Sequence, residues 1–203
     1  MFKNNEAEKE KSIMVGSWII NVTKTGMPQK VATAIGELSE KLTGAEYTPI
    51  AYLGSQLANG INHAVLAEQL VITGRDTKNV VLLIFNEKDM QCNLVNIERV
   101  IEGGEAPGGI TLNVTTDIPE DARKAFDAAL SGFVGSGVKP FALLGTQVTK
   151  GTEYIFAAEV VPVTAEPETK AALVVVNSLT NSVKFVDLLS TPVTALGYAF
   201  TWL

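Results

Sequence analysis

The sequence offers few side chains that could work together as acids, bases or nucleophiles. It contains one cysteine, Cys92, and one histidine, His63, so a metal site built from several thiolates is impossible and a Cys–His pair could form only once. Both residues fall in predicted strands, and no acid or thiol lies near His63 in the sequence, so we interpret both residues as structural. This pattern predicts no catalytic residues, no metal site and no cofactor, and therefore a chain that is not an enzyme.

An internal repeat organises the chain. A shift of 91 residues places a set of prolines, glycines and glutamines of the first half on identical residues of the second half without a gap. Such self-similarity at a fixed period is the signature of a duplicated structural unit. The aligned pairs include Pro28 with Pro119, Gly44 with Gly135, Pro49 with Pro140, Gln56 with Gln147, and Gly60 with Gly151.

Both copies have the same predicted order of elements. A short apolar strand (18–22; 110–114) precedes an amphipathic helix of about four turns, which ends before Gly44 or Gly135. In the second copy Asp117 and Glu120 predict a capping box. Four strands follow and form two hairpins, and in the first copy Asn59-Gly60 is a favoured turn pair. The predicted strands are 50–57, 61–72, 80–85 and 92–100 in the first copy, and 141–148, 152–163, 171–176 and 183–189 in the second.

Composition narrows the possible partners and the compartment. The net charge is -6 and the pI is about 4.9, and no basic stripe suits a phosphate backbone, so we expect no nucleic-acid partner. The apolar runs are too short to span a bilayer, and the charged first dozen residues do not form a signal peptide, which predicts a cytoplasmic protein with no membrane partner. The predicted domains are 14–101 and 110–203, with a Gly/Pro linker at 102–109 and a C-terminal apolar strand at 196–203.

The order of elements and the first hairpins resemble the cystatin and stefin superfamily. Its members carry a Gln-x-Val-x-Gly loop at the first hairpin, where this chain has Gln56-Leu57-Ala58-Asn59-Gly60 and Gln147-Val148-Thr149-Lys150-Gly151. The resemblance covers roughly residues 16–101 and 108–190. It implies an α+β fold of two tandem cystatin-like domains, each with one long helix packed on a curved antiparallel sheet of about four to five strands.

The resemblance also implies a binding surface. Cystatins plug the cleft of papain-like cysteine proteases with a glycine before the first strand and two hairpin loops. Here Gly16 and either Gly108 or Gly109 would be these trunk glycines, the pentapeptides 56–60 and 147–151 the first loops, and 87–90 and 178–181 the second loops. The expected function is reversible protein binding, with a papain-like protease as the partner. The alternative is an assembly protein that forms homo-oligomers through its edge strands.

Overall fold

The structure is a computed structural model that describes residues 16–72, 77–104 and 108–189. Within these ranges the chain forms two helices and ten strands. We call β1–β5 with α1 unit 1, and β6–β10 with α2 unit 2. The elements are β1 Trp18–Thr23, α1 Gln29–Lys41, β2 Ala45–Leu57, β3 Ile61–Val71, β4 Thr77–Lys88, β5 Gln91–Glu102, β6 Ile110–Thr115, α2 Glu120–Ala129, β7 Ser136–Thr149, β8 Gly151–Pro162, β9 Lys170–Asn177 and β10 Val183–Asp187.

Each unit contains one antiparallel sheet of five strands. The strand orders are β1-β2-β3-β4-β5 and β10-β9-β8-β7-β6. The pairing of β2 with β3 shifts register between Pro49 and Ala51, and the pairing of β7 with β8 shifts at the equivalent Pro140 and Ala142. A proline cannot donate to a ladder, and a bulge is one of the places where a sheet accepts it. The 91-residue shift therefore aligns the irregularities of the two sheets as well as their residues.

The predicted α+β fold class, with one long helix per domain, is wrong. Strands account for 58% of the described structure and helices for only 14%, because the helices have 13 and 10 residues while most strands of the central hairpins have 11 to 14. The sequence predicts that β2 begins at Ile50 and β7 at Phe141. Both strands in fact begin five residues earlier, directly after Gly44 and Gly135.

The helix of unit 2 differs from its prediction at both ends. Pro119 occupies the N-cap position and its side chain has no hydrogen-bonding group, so the expected capping box at Asp117 does not form. The helix ends at Ala129, because Gly132 soon follows in the left-handed region at φ +79°. Phe133, expected on the helix, lies beyond its end and stacks on Phe185 with ring centroids 5.4 Å apart.

One apolar core is shared by the two units. Alternate side chains of a strand point to opposite faces of its sheet, and one face of each sheet packs on the other sheet. Leu66, in the middle of β3, is fully buried in this shared core. Other members are Leu53, Val80 and Leu82 from unit 1 and Leu144, Ile155, Ala157 and Leu173 from unit 2.

The outer face of each sheet is covered by the helix of the same unit. Val31 and Ile35 of α1 pack over β3 and β4, where Val65 and Phe85 are fully buried. In unit 2 the rings of Phe126 and Phe156 meet edge to face, with centroids 4.9 Å apart. The described part of the chain thus stacks helix, sheet, sheet and helix. The middle parts of β3, β4, β8 and β9 are buried on both faces, whereas most of β5 is exposed or half-buried.

Some predictions concern residues outside this description. The C-terminal apolar strand at 196–203 and the domain start at residue 14 lie outside the described residues, and the domain boundaries stay a prediction. No helix within the described ranges is long and apolar enough to cross a bilayer.

The shared core predicts a single unfolding transition. Leu53→Ala and Leu144→Ala remove equivalent, fully buried side chains from the two sheets. Each should lower the free energy of unfolding by about 2–5 kcal/mol and shift the transition of the whole chain, because each sheet loses its packing partner when the other unfolds. Urea titration followed by circular dichroism measures this. Two separate unfolding transitions, only one of which shifts with each substitution, would contradict this prediction. Val95→Ala, at a position that is 61% exposed, is the control.

Candidate functional site

The predicted binding elements of each unit meet at one end of its sheet. In unit 1, Trp18 of β1 pairs with Gln56, so Gly16 lies beside the loop 57–60 that joins β2 to β3. The β4–β5 turn, residues 88–91, lies at the same end, because Glu87 pairs with Ile61. We call these three segments tip edge 1. Tip edge 2 consists of the corresponding segments of unit 2: Gly108, residues 148–151 and residues 178–182.

A glutamine ties the trunk glycine to the first hairpin in both units. The Nε2 atom of Gln56 donates to the carbonyl oxygen of Gly16 at 2.6 Å, and Nε2 of Gln147 donates to the carbonyl oxygen of Gly108 at 2.6 Å. The sequence left Gly108 and Gly109 as alternatives, and the hydrogen bond identifies Gly108 as the counterpart of Gly16. The segment before each first strand is therefore held against the hairpin in the same way.

The loop glycines bring the two hairpins of a tip edge into contact. Gly60 has φ +109° and Gly151 has φ +98°, values that favour glycine. A Cβ atom on Gly60 would lie 2.6 Å from the carbonyl oxygen of Glu87, and one on Gly151 would lie 2.8 Å from Cβ of Leu179. Substituting either glycine would disturb the hairpin contact itself, so binding tests need changes at other positions of the tip.

Each tip edge presents two exposed apolar side chains, one from each hairpin. In tip edge 1 they are Leu57, 50% exposed, and Met90, 87% exposed; in tip edge 2 they are Val148, 77% exposed, and Leu179, 69% exposed. The other tip residues are mostly polar: half-buried Ala58 with exposed Asn59 in unit 1, and exposed Thr149 and Lys150 in unit 2.

Hydrogen bonds connect the two hairpins of each tip edge. In unit 1, Nζ of Lys88 donates to Oδ1 of Asn59 at 2.9 Å. In unit 2 the nearly buried Asn177 takes this role, since its Nδ2 atom donates to Oγ1 of Thr149 and to the carbonyl oxygen of Lys150, both at 3.3 Å. Different residues therefore hold the two loops together in the two units.

The polar support beneath the glutamine also differs between the units. In unit 1 a chain of amides crosses three strands: Asn86 donates to Asn62 at 2.8 Å, Asn62 donates to Oε1 of Gln56 at 2.9 Å, and Gln56 donates to Gly16. In unit 2 Glu153 stands where unit 1 has Asn62. Its Oε2 atom and Oε1 of Gln147 are buried and have no donor within the part of the chain that the structure describes.

The histidine has an acid partner that the sequence did not reveal. His63 is 5% exposed; its Nδ1 atom lies 3.0 Å from the Tyr52 hydroxyl and its Nε2 atom lies 3.3 Å from Oε2 of Glu87. The Nε2–Oε2 distance is that of an ion pair when the imidazole is protonated. Burial lowers the pKa of His63, with Glu87 opposing the shift, and the ammonium of Lys30 lowers the pKa of Glu87. The sequence does not give the register of β3 with β4, and this register is what brings Glu87 close to His63.

The remaining candidate groups do not form a reactive site. Burial raises the pKa of the Cys92 thiol, which favours the unreactive thiol form. Among the described residues, no group of three or more His, Cys, Asp or Glu side chains is placed to hold a metal ion. Compared with known proteins, the sequence matches no family model and no curated protein.

The two unsatisfied acceptors in unit 2 predict a stabilising substitution. Glu153→Asn reproduces the residue of unit 1 and gives Oε1 of Gln147 a donor, so it should raise the free energy of unfolding by about 1–3 kcal/mol. The converse change, Asn62→Glu, should lower it by a similar amount. Urea denaturation of both variants measures the effect; equal shifts of the same sign would contradict it.

The buried histidine predicts a pH dependence of stability. Because the folded state lowers the pKa of His63 below its ordinary 6.5, the unfolded chain binds the proton more readily, and stability falls as the pH drops through 6.5. His63→Gln keeps hydrogen-bonding groups and removes the titration. Its free energy of unfolding should fall less than that of the wild type between pH 7 and pH 5.5, a window above the titration of Glu87. Parallel pH profiles from urea denaturation would refute this assignment.

Proposed function

We propose that this chain is a non-enzymatic protein-binding module whose two tip edges dock into clefts of partner proteins. The observation that carries the proposal is the hydrogen bond from Gln56 to Gly16, repeated from Gln147 to Gly108, beside hairpin tips that expose apolar side chains. In each unit a trunk segment and two loops are fixed as one edge before any partner arrives.

Such an edge suits binding for two physical reasons. A group that is already ordered loses little entropy on docking, so more of its contact energy appears as affinity. An exposed apolar side chain gains free energy when it enters an apolar cleft, on the order of 25 cal/mol for each Å² removed from water. Leu57 and Met90 in unit 1, and Val148 and Leu179 in unit 2, are placed to make this gain.

The partner class that we propose is a papain-like cysteine protease, bound reversibly. The support is the likeness of the loops 56–60 and 147–151 to the Gln-x-Val-x-Gly loop of cystatins, together with the glutamine–glycine bond found in both units. The loops carry Ala58 and Thr149 at the central position where cystatins have valine. The apolar side chains beside these positions, Leu57 and Val148, are the candidates to provide the missing contact.

Two competing functions have less support. Assembly through edge strands would use β1, β5, β6 or β10, the outer strands of the two sheets. The pairings of β1 and β6 each have a register shift, that of β5 has two, and β10 has only 5 residues. Bulged and short edges disfavour pairing with another strand. Val95, at one bulge, is 61% exposed. An enzyme could use the groove of about 420 Å³ between α1 and β5, which Cys92 lines, but the raised pKa of that thiol makes it a poor nucleophile.

Inhibition of papain tests the proposal. Rising concentrations of the full chain should lower the rate of hydrolysis of a fluorogenic peptide, and dilution should restore it. Leu57→Asp and Val148→Asp each place a charge where an apolar cleft would have to accept it, and combining them should raise the inhibition constant at least about tenfold.

Matched controls lie at the other ends of the same sheets. Ile72 is 46% exposed and Val163 is 77% exposed, close to the values of Leu57 and Val148, and Ile72→Asp with Val163→Asp should leave inhibition unchanged. Full papain activity at high micromolar concentrations of the chain would rule out the protease partner. Equal effects of the tip and control substitutions would rule out the tip edges.

A further inference from the structure

We infer that one chain holds two partner molecules at the same time, one on each tip edge. The inference rests on the proposed function and adds a stoichiometry to it. A tandem protein could instead bury one of its two binding edges between its units or crowd both edges together. The contacts between the described residues of the two units exclude both arrangements.

The end of unit 1 that is farthest from tip edge 1 is the end at which β4 begins and β5 ends. Along β4, Lys88 pairs with Gln91 at the tip, whereas Asn79 pairs with Glu102 at the other end of the sheet. The chain leaves unit 1 at that far end, where the Gly103 amide donates to the carbonyl oxygen of Lys78 at 3.1 Å.

Tip edge 2 lies next to this far end of unit 1. The Gly104 amide donates to the carbonyl oxygen of Ile110 at 3.1 Å, and Ile110 pairs with Gln147, the glutamine of tip edge 2. Lys78 and Lys88 are ten residues apart on β4, which corresponds to about 33 Å at a rise of about 3.3 Å per residue. The two tip edges are therefore separated by roughly the length of one sheet.

The direction of sheet 2 relative to sheet 1 follows from a contact midway along both sheets. Nζ of Lys24 donates to the carbonyl oxygen of Thr116 at 3.3 Å. Lys24 follows Thr23, which pairs with Tyr52 in the middle of β2, and Thr116 follows Thr115, which pairs with Leu143 in the middle of β7. The sheets therefore meet at their middles while tip edge 2 lies at the far end of unit 1, so the two tip edges lie at opposite ends of the stacked sheets.

The available space is sufficient for two partners. A globular protein of about 200 residues has a radius of gyration near 16 Å, and so a diameter of about 42 Å. A partner bound at tip edge 1 adds its own radius, about 21 Å, to the separation of about 33 Å along sheet 1. The centres of the two partners are therefore more than about 50 Å apart. The exposure of Leu57 and of Val148 shows that neither tip is covered by the other unit.

Native mass spectrometry of the full chain mixed with excess papain, its active-site thiol blocked by a methylthio group, tests the inference. We expect two papain molecules per chain. Leu57→Asp and Val148→Asp should each reduce the complex to one papain per chain, and the double variant should form none, while Ile72→Asp and Val163→Asp keep two.

The outcomes separate this inference from the proposed function. One papain per wild-type chain, lost in only one of the two tip variants, would overturn the inference and leave the proposed function standing for that tip edge. No complex with the wild-type chain, or a complex that the double tip variant keeps, would overturn both.

Discussion

The apolar layer between the two sheets determines most of what this molecule can do. Since each sheet packs its inner face on the other sheet and the middle of its outer face on a helix, the central strands have little surface left for a partner. What remains accessible is the ends and edges of the sheets. Leu66 and Leu173, fully buried in the shared layer, thus influence recognition indirectly, because they fix which surfaces stay outside.

At one end of each sheet, the glutamine–glycine hydrogen bond holds the segment before the first strand against the first hairpin. This hydrogen bond has the same length in both units, but the side chains around its glutamine differ. The amide chain from Asn86 through Asn62 to Gln56 satisfies every acceptor on its path in unit 1, whereas Glu153 interrupts it in unit 2. A connected polar network is more rigid than its separate bonds, and an unsatisfied member weakens it. Among the described residues, the amide network is therefore complete at the edge of unit 1 and incomplete at the edge of unit 2.

Features that depend on the local sequence pattern could be predicted from the sequence. Features that depend on how the strands pair could not. The strand positions and the turn at Asn59-Gly60 follow from alternating apolar residues and from turn chemistry, and the structure confirms strands at these places. The fold class failed because residues 45–49 and 136–140 read as loop, although they extend two central strands. The acid partner of His63 could not be found, since Glu87 lies 24 residues further along the chain and only the register brings them together.

The residues of the candidate site also divide into those that the sequence could predict and those that it could not. The glutamines and the loop glycines could be named from the repeat, because identical residues recur at a spacing of 91. The trunk glycines were implied only by the resemblance to cystatins, which left Gly108 and Gly109 as alternatives. Met90 and Leu179 fall within the predicted second loops, but their exposure could not be predicted, since it depends on how each turn projects from its sheet. Across the two tips, Asn59 and Lys150 differ in charge while the glutamine, the loop glycine and an apolar neighbour recur. The backbone position and an apolar contact are therefore what the two edges have in common, and recognition by charge would have to differ between them.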